Sequence, residues 1–137
     1  RMRAFFTEAD KTGITVRRYN GNFTEKSGYD IAQTIIASHD LPEAVFCAND
    51  QMAIGFIKAM KEHQLKAPDD IAIVGFDDIP TSQYLEPPLT SVHVPIFEMG
   101  QRAMERLLMA IQEENDHTRR QEKFPTSLVI RQSCGQK

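Results

Sequence analysis

Hydrophobic positions along the chain follow two patterns, a helical period and short continuous runs. Four segments repeat apolar residues every three or four positions, as the buried face of an amphipathic helix does. Two segments are apolar throughout, which is typical of strands covered on both faces of a parallel sheet. The sequence therefore predicts helices over 1–12, 24–38, 50–63 and 96–111, and strands over 14–20, 44–48, 71–76 and 124–133.

The segments alternate between helix and strand, with short polar links between them. Asn20-Gly21-Asn22 ends the first predicted strand, and Thr24 is placed to cap the helix that follows. Alternation of this kind is typical of right-handed βαβ units, so we expect an α/β fold with a parallel sheet flanked by helices. The stretch "EPPLTSVHVP", residues 86–95, is expected to be extended but to lie outside that sheet. Because the chain begins in a helix, we expect an incomplete sheet or the back part of a longer sequence.

Charge and hydropathy exclude several functional classes. The 137 residues carry 16 basic and 19 acidic side chains, a net charge of −3, and no basic run longer than Arg119-Arg120. A duplex-binding domain usually has a concentrated basic surface, so direct contact with nucleic acid is not expected from this chain. No apolar run approaches the roughly 18 residues of a membrane span, and the first residues lack a signal-peptide core. No membrane partner is therefore expected.

Residues able to do covalent or metal chemistry are scattered. Cys47 and Cys134 have no CxxC or histidine partner at metal spacing, so we expect reduced thiols and a cytoplasmic location. The histidines form no helical pair, which predicts no metal site, and no cofactor is expected. Motifs such as G-x-S-x-G are not found, so an enzyme is the least supported class.

Polar residues follow both fully apolar strands at the point where each ends. Asn49 and Asp50 follow 44–48, and Asp77 and Asp78 follow 71–76. Ligands of open parallel sheets bind beyond the carboxyl ends of the strands, and an amide beside a carboxylate suits the hydroxyl groups of a sugar or nucleoside. The residue types also allow a structural interpretation, in which Asn49 and Asp50 cap a helix and Asp77-Asp78 starts a turn. Both interpretations stay open at this point.

Several motifs together resemble the effector-binding region of LacI/GalR-type transcription regulators. They are "AVFCANDQMAIGFIKAMKEHQLKAPDDIAIVGFDDI", "PPLTSVHVPIFEMGQRAMERLL" and "FPTSLVIRQS", which occur in this order, after "GNFTEKSGYDIAQTII". The resemblance covers nearly the whole chain. It implies one lobe of a periplasmic-binding-protein-like type I core with three layers, incomplete here, and it places the helix-turn-helix, the hinge and most of the first lobe outside this sequence.

The resemblance also implies a division of the chain and a set of site residues. Residues 1–92 would form the C-terminal lobe, 93–121 would cross to the N-terminal lobe, and 122–137 would return. Phe23 would stack on a ligand, Asn49 and Asp77 would bind its hydroxyls, and Asp50 and Asp78 would be mainly structural. Arg1 matches a cleft arginine, in a motif whose usual glycine is Ala4 here. The implied ligand residues are Arg1, Phe23, Asn49 and Asp77, and the implied dimer contacts are Ile54, Ile57, Lys58, Tyr84 and Leu85.

The function implied by the resemblance is sensing of a small polar effector, with no catalysis. Effector-biased closure of two lobes would control DNA binding by a helix-turn-helix that is not in this chain, in a homodimer. Burial against the sheet remains an alternative role for Ile57. A periplasmic-type sugar-binding lobe and a receiver-like signalling domain remain alternative functions.

Overall fold

Four α-helices, two short 3-10 helices and four strands are the regular elements in the part of the chain that the structure describes. The computed structural model describes residues 2–112 and 121–135. All four predicted helices and three of the four predicted strands are present. No described helix is long and apolar enough to cross a membrane. In chain order the elements are α1 (Met2–Thr12), α2 (Glu25–Ala37), β1 (Ala44–Phe46), α3 (Asp50–Glu62), β2 (Ala72–Asp77), a 3-10 helix (Pro80–Tyr84), β3 (Thr90–His93), α4 (Ile96–Gln112), β4 (Ser127–Val129) and a second 3-10 helix (Gln132–Cys134).

The strands form one sheet in the order β1-β2-β3-β4. β1 runs parallel to β2, with Val45 opposite Ile73, and β2 runs parallel to β3, with Gly75 opposite Ser91. β4 returns antiparallel to β3. The α/β class with a mainly parallel, helix-flanked sheet is therefore confirmed.

The prediction of a strand over 14–20 is wrong, because these residues form no regular element. Ile14 is 65% exposed and Tyr19 is 40% exposed. Residues with β-branched side chains favour a strand only where a neighbouring strand and a covered face are available. Within the described sheet the strand order is β1-β2-β3-β4, and residues 14–20 pair with none of these strands.

The expectation that residues 86–95 lie outside the sheet is also wrong, because β3 is an internal strand of it. Its first two residues, Thr90 and Ser91, are polar yet almost completely buried. Buried hydroxyls are stable only when they are hydrogen-bonded. Thr90 bonds to the backbone of Arg131, and Ser91 bonds to the carboxylate of Asp50. A strand of this composition has no apolar run to reveal it.

The core lies between α2, α3 and the sheet. α2 and α3 approach so closely that a Cβ atom at Gly28 would lie 2.0 Å from the Met52 carbonyl oxygen, and one at Gly55 would lie 1.8 Å from that of Glu25. Glycine is therefore required at both crossing points. The largest completely buried apolar side chains come from α3, β2 and the residues flanking the strands: Phe56, Met60, Ile71, Ile73 and Leu89.

The first and last helices contribute little to this core. In α1 the ring of Phe5 stacks on that of Phe46, with 5.2 Å between their centroids, while Ala9 is the helix's one buried residue. α4 has no buried residue among its described side chains, and Arg102 and Arg106 tie it to Glu122. One set of large apolar side chains on α4 is 41–81% exposed: Ile96, Phe97, Met99, Met104, Leu107, Leu108, Met109 and Ile111.

The C-terminal segment is fixed to the sheet by polar side chains. Ser133 donates a hydrogen bond from Oγ to the Ile73 carbonyl at 2.6 Å and accepts one from the Thr90 amide at 2.8 Å. Arg131 donates from Nη1 to the Leu89 carbonyl at 2.7 Å. These bonds explain why an arginine and a serine occur in the "LVIRQS" stretch.

Candidate functional site

Two neighbouring strands end at the same edge of the sheet and bring the predicted polar residues there. β1 and β2 run parallel, and the amide of Cys47 continues their pairing by donating to the Val74 carbonyl at 2.8 Å. Asn49 follows at the start of α3, and Asp77 is the last residue of β2. Both residues therefore lie at the carboxyl edge of the sheet, which is where parallel sheets bind ligands.

Asn49 joins this edge to the backbone of Phe23. Its Oδ1 accepts a hydrogen bond from the Met52 amide at 3.0 Å, and its Nδ2 donates to the Phe23 carbonyl at 2.9 Å. The capping interpretation is thus confirmed for Asn49. An amide group can make about four hydrogen bonds, so one N–H and one lone pair of this half-buried side chain remain.

Phe23 presents an exposed ring beside Asn49. Its side chain is 58% exposed, and its φ of +67° lies in the left-handed region that non-glycine residues rarely adopt. The hydrogen bond from Asn49 fixes the Phe23 carbonyl and with it this unusual backbone conformation. The structure therefore brings two of the predicted ligand residues together.

Asp77 and Asp78 form a left-handed turn at the end of β2. Their φ angles are +106° and +53°. Such conformations cost on the order of 1–3 kcal/mol per residue, less for Asp and Asn than for bulkier residues. The amides that follow are held, since Asp78 N–H donates to Ser91 Oγ at 3.1 Å and Ile79 N–H donates to Asp50 Oδ2 at 2.9 Å. The positive φ angles agree with the turn interpretation of Asp77-Asp78, and a ligand role for the half-buried Asp77 stays a prediction.

Asp50 is a buried residue rather than a helix cap. It is completely buried, and its carboxylate accepts hydrogen bonds from Ile79 N–H at 2.9 Å, Ser82 Oγ at 2.6 Å and Ser91 Oγ at 2.6 Å. Capping by Asp50 is a wrong interpretation, because Asn49 occupies the cap position. Glycine at position 75 makes room for this carboxylate, since a Cβ there would lie 2.1 Å from Asp50 Oδ1.

Asp78 connects the turn to two residues that sequence reasoning missed. Its Oδ2 lies 3.1 Å from Nδ1 of His93, the last residue of β3. Its Oδ1 lies 2.8 Å from Nη2 of Arg131 in an ion pair, although this atom makes no hydrogen bond of good geometry. These partners are 15 and 53 residues away, so no spacing along the chain could indicate them, and the one available signal was the arginine of "LVIRQS".

The pKa shift near this edge belongs to a buried thiol. Burial raises the pKa of the Cys47 thiol to about 12, and the nearby charge of Asp50 adds to the effect. A thiol with so high a pKa is a poor nucleophile at neutral pH. Among residues 2–112 and 121–135, no group of three or more His, Cys, Asp or Glu could hold a metal ion.

The remaining predicted site residues lie elsewhere. Arg1 falls outside the described residues. Tyr84 is 80% exposed, Ile54 and Leu85 are half-buried, and Lys58 is exposed with its Nζ 5.6 Å from the centre of the Tyr29 ring. Ile57 is 5% exposed and belongs to the core, so burial is the role that the structure supports for it.

Comparison with known proteins identifies the family. The family model of the periplasmic binding protein-like domain matches residues 1–134, so the chain belongs to that family. The HTH-type transcriptional repressor PurR of Photobacterium profundum is 36% identical over 136 residues, which are 97% of this chain and 40% of that protein. PurR of Histophilus somni is 41% identical over 113 residues, 82% of this chain and 34% of that protein.

Solved structures agree with this assignment. A LacI family transcriptional regulator from Enterococcus faecium, solved with bound ribose, superposes with a TM-score of 0.88 at 27% identity, over 96% of this chain and 49% of that one. The lac repressor dimer bound to operator and the anti-inducer ONPF gives a TM-score of 0.87 at 29% identity, over 98% of this chain and 40% of that one. The predicted resemblance to LacI/GalR-type regulators is thus confirmed, and the chain spans less than half of the length of these relatives.

Proposed function

We propose that this chain forms one wall of the effector-binding cleft of a LacI/GalR-type transcriptional repressor, with Phe23, Asn49, Asp77 and Arg1 as ligand residues. The observation that carries the proposal is the carboxyl edge of the sheet. There Asn49 is hydrogen-bonded to the backbone beside an exposed aromatic ring, one strand away from the carboxylate of Asp77. No nucleophile–base pair is part of this proposal, and binding without catalysis is the expected activity.

The proposed ligand class is a sugar, a nucleoside or a similar polyhydroxylated molecule. A carboxylate accepts hydrogen bonds from two or more hydroxyls, and the amide of Asn49 retains one donor and one acceptor site. The exposed Phe23 ring offers an apolar face for stacking against a sugar ring or base. The related regulator from Enterococcus faecium contains bound ribose, which supports this choice.

The proposed mechanism is a ligand-biased change in the arrangement of two lobes. An effector that binds the closed arrangement more tightly than the open one shifts the population by its differential affinity, commonly about 1–3 kcal/mol. Residues 1–92 and 122–137 would belong to one lobe, and 93–121 would cross to the other. The exposed apolar side chains of α4 support this division, because in a two-lobed domain the other lobe would cover them. A cytoplasmic location follows from a role in transcription.

The ligand proposal is tested by isothermal titration of the full-length gene product with D-ribose, D-galactose, D-glucose and adenosine. The affinity for the compound that binds is then measured in the variant Asp77→Asn. This substitution removes the carboxylate charge and keeps a residue that tolerates positive φ. A hydrogen bond to a charged group contributes about 1.5–3 kcal/mol, so the affinity is expected to fall roughly 10- to 150-fold. The matched control is Asp69→Asn, an exposed acid before the opposite end of β2. Equal binding by both variants, or no binding of any of the four compounds, would contradict the proposal.

The proposed homodimer contacts are Ile54, Lys58, Tyr84 and Leu85, since Ile57 is buried in the core. Tyr84 is the most exposed of them and is the last residue of the 3-10 helix that begins at Pro80. Tyr84→Lys is expected to shift the full-length gene product from dimer to monomer in sedimentation velocity. Tyr19→Lys, at a tyrosine that is also exposed, serves as the control. A dimer unaffected by Tyr84→Lys would exclude this surface.

A further inference from the structure

Asp50 is the one charged side chain, among the described residues, that is completely buried. Three neutral donors form hydrogen bonds with its carboxylate and stabilise its charge. Burying a carboxylate without a cation is costly, so full satisfaction of both oxygens by hydrogen bonds is required. The positions of the three donors therefore decide what this carboxylate holds in place.

Two of the three donors lie beside the Asp77-Asp78 turn, and the third, Ser82 Oγ, lies in the 3-10 helix that follows. One is the amide of Ile79, directly after the turn. Another is Ser91 Oγ, which donates to Asp50 and also accepts the hydrogen bond of the Asp78 amide. The amides of Asp78 and Ile79 are therefore both held by Asp50, the second directly and the first through Ser91.

The turn needs such support because both of its residues have positive φ. Residues other than glycine leave this region when the surrounding structure does not enforce it. Fixed partners for the Asp78 and Ile79 amides restrict rotation on the carboxyl side of Asp77. The direction of the Asp77 side chain then depends on contacts made by Asp50, which itself has no accessible surface for a ligand.

We propose that Asp50, acting through Ser91 and the Ile79 amide, is a positioning residue that sets the backbone conformation of Asp77 for ligand binding. This inference rests on the proposed function in naming Asp77 as a ligand residue. The conformational part stands on its own, because the hydrogen bonds to the turn exist without a ligand.

Two buried serines allow a matched test. Ser91 and Ser133 are both completely buried, and each hydroxyl accepts one hydrogen bond from an amide and donates another. Ser91 connects Asp50 to the turn, whereas Ser133 connects the C-terminal segment to Ile73 and Thr90 in the sheet. Ser91→Ala and Ser133→Ala therefore remove similar bonds at different places. Asp50→Asn is a third variant, which exchanges one acceptor oxygen for a donor.

The first measurement is amide hydrogen exchange in the ligand-free, full-length gene product. In Ser91→Ala, peptides covering residues 77–80 are expected to exchange about tenfold faster, while peptides covering 71–76 keep their rates. In Ser133→Ala the 77–80 peptides are expected to keep wild-type rates. Equal acceleration by both serine variants, or none in Ser91→Ala, would overturn the proposal. Folded Asp50→Asn protein is expected to exchange faster in the same 77–80 peptides, and wild-type rates there would also overturn it.

The second measurement is affinity for D-ribose or whichever of the four probe compounds binds. Ser91→Ala is expected to weaken binding about tenfold and Ser133→Ala less than about twofold, although both variants lower the melting temperature similarly. Equal losses of affinity would refute a positioning role and leave a purely structural one. If wild-type protein binds no probe, the proposed function fails, whereas the exchange result still decides whether Asp50 sets the turn.

Discussion

The close crossing of α2 and α3 predicts that Gly55→Ala destabilises the protein. The added Cβ would lie 1.8 Å from the Glu25 carbonyl oxygen. A normal C···O contact is about 3.3 Å, so the helices would have to separate by about 1.5 Å at this point. The obstacle is backbone, which cannot rotate away as a side chain can.

The size of the effect follows from two opposing contributions. Overpacking a well-packed core costs about 1–3 kcal/mol, and a rigid backbone contact belongs at the upper end of that range. Alanine favours the helix over glycine by about 1 kcal/mol, which offsets part of the cost. The expected net loss is about 2 kcal/mol in the free energy of unfolding.

Gly100→Ala is the matched control for this prediction. Gly100 is also helical, in α4, but a Cβ there meets nothing within 4 Å. This variant keeps the gain in helix propensity without the clash, so it is expected to stabilise by about 0.5–1 kcal/mol. Urea unfolding followed by circular dichroism measures the free energy of unfolding of both variants. The slope of that free energy against urea concentration is expected to stay unchanged. A Gly55→Ala protein as stable as Gly100→Ala would refute the backbone contact between α2 and α3.

Three further predictions concern titration and association. Burial raises the pKa of Cys47 from 9.0 to about 12, so the stabilisation by its protonated form is lost as pH rises from about 9 to 12. The free energy of unfolding of Cys47→Ala is expected to depend less on pH over this range. Hydrogen bonds from Arg102 and Arg106 lower the pKa of Glu122 from 4.5 to about 2. Their stabilising effect is therefore full above pH 4.5 and is lost as pH falls through about 2. An NMR titration of the Glu122 carboxyl with a midpoint near 4.5 would contradict this prediction. The 137-residue chain alone is expected to self-associate through the exposed apolar face of α4, and a strictly monomeric species in sedimentation velocity would exclude this.

The elements predicted correctly are those whose signals are local. The apolar period of α2 and its capping residue Thr24 lie within one continuous stretch of the sequence. The same holds for the apolar period of α3 and its capping residue Asn49. β1 and β2 are indicated by apolar runs within continuous stretches of the sequence. Such signals need no knowledge of distant partners, and the sequence contains all of them.

The elements missed are those whose stability depends on distant residues. Residues 14–20 have the composition of a strand but no partner within the described sheet, so their local preference has no effect. β3 has buried polar residues in place of an apolar run. They are stable because the fold brings Asp50 next to Ser91 and Ser133 next to Thr90, although these partners are 41 and 43 residues away along the chain. The interpretation of Asp50 as a cap is wrong for the same reason, because only the fold brings Ser82 and Ser91 to its carboxylate.

Two adjacent residues at the start of α3 have separate roles at the carboxyl edge. Asn49 is half-buried and keeps hydrogen-bonding capacity for a ligand, whereas Asp50 is completely buried and uses its carboxylate on the turn. Substitutions at exposed Phe23 or half-buried Asp77 are therefore expected to change which ligand binds at small cost in stability. Substitutions at Asp50 or Ser91 leave an unsatisfied polar group in the interior, which costs about 1–3 kcal/mol, and they also disturb the turn that carries Asp77. If the edge binds the proposed ligand, its ligand choice is thus expected to change through the outer residues only while the buried carboxylate stays in place.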